Sequence, residues 1–218
     1  MPDTPAEITA RALLDAGAFL IRPEQPFKLT SGLLAPFYVN CRQIIFHPEA
    51  RARIADAQAT AIGCALPGGA VEVIAGGVTA GVPFATMVAD RLRLPLVYVR
   101  PEPKGHGLGA QIEGGEVSGK RVLLVEDLIT TAGSILKFVG ALRAAGARVE
   151  DVSVIFTRAG ESALTALAEA RLRLHALCEL DTLLKVARSA GLANDSALIE
   201  VRAFLADPEG WSKKREAA

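Results

Sequence analysis

Two adjacent acids, Glu126 and Asp127, close the aliphatic run in "RVLLVEDLITTAGS", Arg121 to Ser134. Like charges side by side repel, and carboxylates at the end of an apolar run are costly to desolvate without a partner. A carboxylate only accepts hydrogen bonds, whereas a vicinal diol offers two donors, so the pair suits the hydroxyls of a sugar. Two aliphatics follow, Leu128 and Ile129, and then Thr130, Thr131, Ala132, Gly133 and Ser134 form a hydroxyl-rich turn at the start of a predicted helix. Unpaired N–H groups and the helix dipole both favour an anion there. Glycine at 133 lets the backbone approach such an anion with no Cβ in the way. A phosphate a few ångströms from a cis-diol describes a ribose 5-phosphate. For the bare motif the alternative is an Asp helix cap beside an incidental Glu; the flanking strand and helix weigh against it.

The elements around this motif alternate. "VEVIAGG" (Val71–Gly77), "LPLVYVR" (Leu94–Arg100), "RVLLVED" (Arg121–Asp127), "VEDVSVIFTR" (Val149–Arg158) and "LHALCEL" read as strands, nearly continuous in apolar residues. Between them "AGVPFATMVADRL" (Ala80–Leu92), "TAGSILKFVGALRAAGA" (Thr131–Ala147) and "LTALAEARL" read as helices. In the second helix Ile135, Phe138, Val139 and Leu142 make one apolar stripe. This alternation predicts an α/β fold with a mainly parallel central sheet flanked by helices. Upstream, helices are predicted over Ala6–Ile21 and from His47-Pro48 to about Leu66. An extended, turning segment lies between them, so residues 1–45 form a small N-terminal hood. In an open parallel sheet, ligands sit beyond the carboxyl ends of the strands, which is where Glu126 and Asp127 fall. The stretch Pro101–Lys120 breaks the rhythm. It holds six of the chain's twenty glycines and reads as a flexible catalytic loop, a mobile lid. The charged end, 208–218, reads as a frayed tail.

The whole is expected to form a single domain, 1–218. Half of its 218 residues are hydrophobic and its mean hydropathy is +0.31, enough for a sizeable core. Lys plus Arg equals Asp plus Glu at 24 each, which argues against nucleic acid as a partner. Cys41, Cys64 and Cys178 are odd in number and far apart, so a disulfide framework or zinc site is not expected. The N-terminus has no signal-peptide pattern, and no apolar run is long enough to cross a bilayer. A soluble, cytoplasmic protein is expected. His47 and His175 match no ligand spacing.

"VLLVEDLITTAGS" resembles the signature of the type I phosphoribosyltransferases. The base acceptor is indicated elsewhere. "FKLTSGLLAPFYVNCR" is similar to the N-terminal segment of orotate phosphoribosyltransferases, matched at Phe27, Leu29, Ser31, Gly32, Pro36, Tyr38 and Arg42. "VRPEPKGHGLGAQIEG" resembles their catalytic lid at Arg100, Glu102, Lys104, His106 and Gly107. "GGVTAGVPFA", which contains Thr79 and Ala80, resembles their diphosphate loop, and "FTR" ends in Arg158 where the family has its orotate-binding Arg. The likeness runs from about Phe19 to Cys178.

The resemblance implies transfer of a 5-phosphoribosyl group from 5-phosphoribosyl 1-diphosphate to orotate, with Lys104, His106 and Asp127 as catalytic residues. It implies that Arg100, Lys104, His106, Thr79, Ala80 and the run from Glu126 to Ser134 hold the sugar diphosphate. Thr130 and Arg158 would bind orotate, with Phe37 and Tyr38 near the ring. Arg158 can clamp the orotate carboxylate bidentately; alone, it could equally be a surface Arg paired with Glu161, and Phe37 and Tyr38 could simply be core. Mg²⁺ is the implied cofactor, with no direct protein ligand, carried by the substrate diphosphate and ribose. A homodimer sharing the lid across its interface is also implied. Without the resemblance, Lys104 and His106 would read as solvated loop charge.

Three positions depart from the family pattern. Pro101 stands where a second lid lysine is usual, and Thr30 and Ala80 stand where some members carry lysine. A weaker positive field, with slower or more Mg²⁺-dependent turnover, is expected. The other readings are a phosphoribosyltransferase for another base, which would have no carboxylate for Arg158 to clamp, and a ribose-phosphate-binding regulator with little chemistry.

Overall fold

The computed structural model describes residues 3–29, 31–102 and 111–216. Helix α1 (Pro5–Asp15) leads into four short strands, β1 (Phe19–Ile21), β2 (Phe27–Lys28), β3 (Leu34–Ala35) and β4 (Phe37–Val39). Strand β1 pairs with β4 and β2 with β3, both antiparallel, and these make the hood. A 3₁₀ segment, Cys41–Phe46, runs into α2 (Pro48–Ala65). The main alternation then follows: β5 (Val73–Gly77), α3 (Gly81–Leu92), β6 (Leu96–Val99), β7 (Ile112–Glu113), β8 (Arg121–Ile129), α4 (Gly133–Ala144), β9 (Arg148–Thr157), α5 (Glu161–Glu169) and β10 (Arg173–Glu179). Helices α6 (Leu180–Ser189), α7 (Asp195–Ala206) and α8 (Pro208–Glu216) complete the described chain.

One six-stranded sheet, ordered β10-β9-β8-β5-β6-β7, organises the fold; every pairing in it is parallel except that of β6 with β7. Both faces are covered, which is why its central strands carry long apolar runs. Along β8, Leu123 and Val125 join a core built with α1, α2, α3 and α6, while Val122 and Leu124 join the one built with α4 and α5. Alternate residues of a strand point to opposite faces, so one strand feeds both layers. Each such fully buried aliphatic contributes about 1.5–3 kcal/mol. Across β9 and β10, the buried Asp151 accepts from Arg173 at 2.8 and 2.7 Å and lies 2.7 Å from His175 Nε2. Burial pushes the Asp151 carboxyl up, but these two partners outweigh it and hold it below the usual range.

Three expectations need correction. The first helix ends at Asp15, not Ile21. Gly17, at φ +63°, takes the left-handed turn after the helix, and the N–H groups of Gly17 and Ala18 close on the carbonyls of Leu14 and Leu13 at 2.9 and 2.8 Å. Phe19–Ile21 is then free to pair with Phe37–Val39. The second correction shortens the glycine-rich loop. Ile112–Glu113 forms the edge strand β7, Val117 is buried, and Glu116 Oε1 accepts the N–H groups of Val117 and Ser118 at 3.1 and 2.9 Å.

The third concerns the tail. Residues 208–216 form a helix whose Trp211 is 6 % exposed. Trp211 meets Phe204 edge-on at 5.7 Å, and Ser212 Oγ accepts the N–H of Leu34 at 2.9 Å. An aromatic ring and a buried hydroxyl fix a segment that its charge marks as solvated.

Candidate active site

The carboxyl end of β8 opens into a cleft of about 390 Å³ between the sheet and the hood. Glu126, Asp127, Leu128, Thr130, Thr131 and Ser134 line it from β8 and the start of α4; Ala80 lines it from the β5–α3 loop and Arg158 from the end of β9. The hood contributes Phe37, Tyr38, Asn40 and Arg42. Thus most of the residues singled out from the sequence meet in one place, although they come from distant parts of the chain.

The two acids differ in surroundings. Glu126 is 6 % exposed, and its Oε1 is buried without a hydrogen-bond partner. Its carboxyl fits a notch left by two glycines. A Cβ on Gly77 would overlap Glu126 Oε1 and the Phe138 ring, and one on Gly81 would lie 2.7 Å from both Glu126 Oε1 and the Val125 carbonyl. Burial, and then the neighbouring Asp127, push the Glu126 carboxyl up to about 8. Asp127 is half-buried and accepts the Leu128 N–H at 2.8 Å. Burial raises its pKa too, against the opposing pull of the Leu128 N–H and Arg42. Arg42 is tethered by its Nε to Asn40 Oδ1 at 3.3 Å.

At the start of α4 no side chain caps the first turn. Thr131, Gly133 and Ser134 are exposed there, and a Cβ on Gly133 would meet nothing within 4 Å. An open helix N-terminus with hydroxyls around it is suited to an anion. Arg158 is half-buried, with its guanidinium 5.3 Å from the Phe37 ring centroid. Among the described residues it has no ion pair and no side-chain hydrogen bond, Glu161 included, and burial alone pulls its pKa down. The adjacent Thr130 is held close, because the Arg158 N–H donates to the Ile129 carbonyl at 3.1 Å. A desolvated cation with open donors is a receptor for a carboxylate.

Other expected residues lie apart from this group. Thr79 is exposed beside the cis Val78–Thr79 peptide bond and does not line the cleft. Arg100, at the end of β6, stands outside the cleft lining; it pairs with Glu113 at 3.8 Å, and its Nε is buried without a hydrogen bond. Lys104, His106 and Thr30 lie outside the described residues. Of the two aromatic residues that do line the cleft, Phe37 is 2 % exposed and packs against Phe19 and Phe204 as a floor beneath Arg158, and Tyr38 packs on Phe27. Among the described residues no group of three or more His, Cys, Asp or Glu side chains could hold a metal ion.

The family model for the phosphoribosyl transferase domain matches residues 49–168, more than half of the chain. An orotate phosphoribosyltransferase of Sinorhizobium medicae (strain WSM419) is 42% identical over 210 residues, 96% of this chain and 90% of that protein. The chain belongs to the orotate phosphoribosyltransferase family. Among solved structures, orotate phosphoribosyltransferase from Aeropyrum pernix is similar with a TM-score of 0.71 and 34% identity, over 85% of this chain and 99% of that one. Leishmania donovani UMP synthase is similar with a TM-score of 0.76 and 26% identity, over 92% of this chain but only 42% of that longer one.

Within this phosphoribosyltransferase, the sequence reading assigned no role to Arg42, Asn40 or the Gly77–Gly81 notch. Arg42 stood inside a matched motif without a partner to explain it. The glycines were visible, but the carboxyl they make room for lies about 50 residues away in sequence.

Proposed function

We propose that this protein joins orotate to the sugar of 5-phosphoribosyl 1-diphosphate, giving orotidine 5'-phosphate and diphosphate in pyrimidine biosynthesis. The observation that carries this reading is the company Arg158 keeps: an unpaired, half-buried guanidinium shares one cleft with an acid pair and an uncapped helix N-terminus. A carboxylated base, a diol and a phosphate find matching groups there, and a purine would leave Arg158 without its counter-charge.

In the reaction the bond between C1 and the diphosphate oxygen breaks, its electron pair leaving with diphosphate, a bond from orotate N1 to C1 forms, and the N1 proton passes to the departing diphosphate. Asp127 and Glu126 hold the ribose hydroxyls, and Asp127 places negative charge beside the carbon that becomes electron-poor. The open turn from Thr130 to Ser134 holds the 5-phosphate, which fixes C1 relative to the base. Ala80 and Thr79 border the diphosphate, with Arg100, Lys104 and His106 as its cations. The carboxyl oxygens of Glu126 and Asp127 suit a hydrated Mg²⁺ carried in by the diphosphate and ribose, and such an ion would neutralise the leaving group.

The protein is further read as a cytoplasmic homodimer. Phe46 is 83 % exposed, a large apolar side chain that a second subunit would cover. Three free cysteines suit a reducing compartment. No described helix is long and apolar enough to cross a membrane.

Loss of orotate absorbance on mixing with 5-phosphoribosyl 1-diphosphate tests the activity, and it is expected to need Mg²⁺ and stop with EDTA. Asp127→Asn should lower kcat about ten- to a hundredfold, the range for losing a hydrogen bond to a charged group, with the melting temperature kept. Tight binding of the sugar diphosphate with no turnover of orotate would overturn the reading.

A further inference from the structure

Behind Arg158 stands a file of aromatic rings that ends in the last helix. Phe37 lies under the guanidinium at 5.3 Å and meets Phe204 edge-on at 5.9 Å and 88°. Phe204 in turn meets Trp211 edge-on at 5.7 Å and 87°. The far end is pinned: Trp211 Nε1 donates to Glu200 Oε2 at 2.8 Å, and Arg215 pairs with the same carboxyl oxygen at 2.8 Å while its guanidinium lies 5.2 Å from the Trp211 ring. The bond from the Leu34 N–H to Ser212 Oγ holds α8 against the strand next to the one that carries Phe37.

An arginine without an acidic partner has little to fix its rotamer except what lies against it. Here that is an aromatic face, whose attraction for a cation grows as water is excluded. Edge-to-face pairs favour a narrow range of geometry, so each ring restricts the next. Among the described residues, Arg158 is the cleft cation that lies over this file of rings.

We propose that Trp211 is a positioning residue for Arg158: through Phe204 and Phe37 it sets the height and tilt of the guanidinium that receives the carboxylate of the base. This rests on the reading of Arg158 as the orotate clamp. Helix α8 then belongs to base recognition and has no part in holding the phosphoribosyl group.

The two KM values and kcat of Trp211→Leu, Trp211→Phe, Arg158→Ala and the Trp211→Leu/Arg158→Ala double variant test it. Trp211→Leu is expected to raise the KM for orotate about three- to tenfold, the range a perturbed cation–π contact supports, and to leave the KM for 5-phosphoribosyl 1-diphosphate unchanged. Trp211→Phe keeps a ring in place and should restore orotate affinity. In the Arg158→Ala background, Trp211→Leu should add nothing. A rise in both KM values together, a fall in kcat alone, or an orotate effect that persists without Arg158 would overturn the proposal. If Arg158→Ala raises the orotate KM and Trp211→Leu does not, positioning fails and the orotate clamp survives. If Arg158→Ala leaves the orotate KM unchanged, the clamp itself fails, and the proposal with it. Should Trp211→Leu not fold, Glu200→Gln, which frees the far end of the file, is held to the same orotate-only rise.

Discussion

Glu126 keeps a buried carboxyl oxygen with nothing bonded to it, and its protonation couples the free protein's stability to pH. With its pKa moved from 4.5 to about 8, the folded chain holds a proton between those values that the unfolded chain has released. Stability contributed by the neutral form is therefore lost as pH rises through that window. The melting temperature of the ligand-free protein should fall across it, and Glu126→Gln should flatten the fall. A Gln variant that declines as steeply would show that another group is responsible. The acid itself was legible in the sequence, because two adjacent charges after an aliphatic run need an external reason. Its proton was not, since that depends on Gly77, Gly81 and Phe138 closing around it. Arg42 was hidden for the same reason: its pull on Asp127 exists only once the hood folds over β8.

Glycines at the ends of neighbouring elements separate packing from chemistry. Gly77 closes β5 against β8, and a Cβ there would overlap Glu126 and Phe138. Gly77→Ala should lose about 1–3 kcal/mol in urea unfolding, the usual result of forcing atoms into a filled space. Gly133, at the first turn of α4, has open space where its Cβ would be. Gly133→Ala should fold at least as stably, yet raise the KM for the sugar diphosphate if this turn holds the 5-phosphate as proposed. Equal stability loss in the two variants would contradict this division. Strands β5, β6, β8, β9 and β10 were readable as elements since burial on both faces leaves nearly unbroken aliphatic runs. The end of α1 was not, because the apolar pattern continues through Ala18 while Gly17 turns the chain. Helix α6, with its buried stripe of Leu180, Leu183, Leu184 and Ala187, went unread, and Leu180 reads in the sequence as the end of a strand.

The hood and the last two described helices meet through a few side chains. The hood of residues 19–39 rests on α7 and α8, and the side chains that join them, Ser212 to Leu34 and Phe204 to Phe37, cross most of the sequence. Removing one such tie should be felt throughout. Ser212→Ala leaves the Leu34 N–H without its acceptor, which costs about 1–2 kcal/mol and lowers the melting temperature by about 2–8 °C. An unchanged melt would mean that the tie carries no weight. Local pattern does not reveal such long-range contacts. The tail is rich in Lys, Arg and Glu, and only Trp211 hints that it has a buried side.

A ribosome makes the hood early and α8 much later. Leu34 and Ser212 are 178 residues apart, so the hood emerges long before the residue that caps its backbone exists. At about 5–20 residues per second, that interval is roughly 10–40 s, during which the nascent hood has its apolar underside open. The floor beneath Arg158 is finished only once α8 has been made, and a nascent chain stalled before Trp211 would carry Glu126, Asp127 and the open turn of α4 without the last ring of the file behind Arg158.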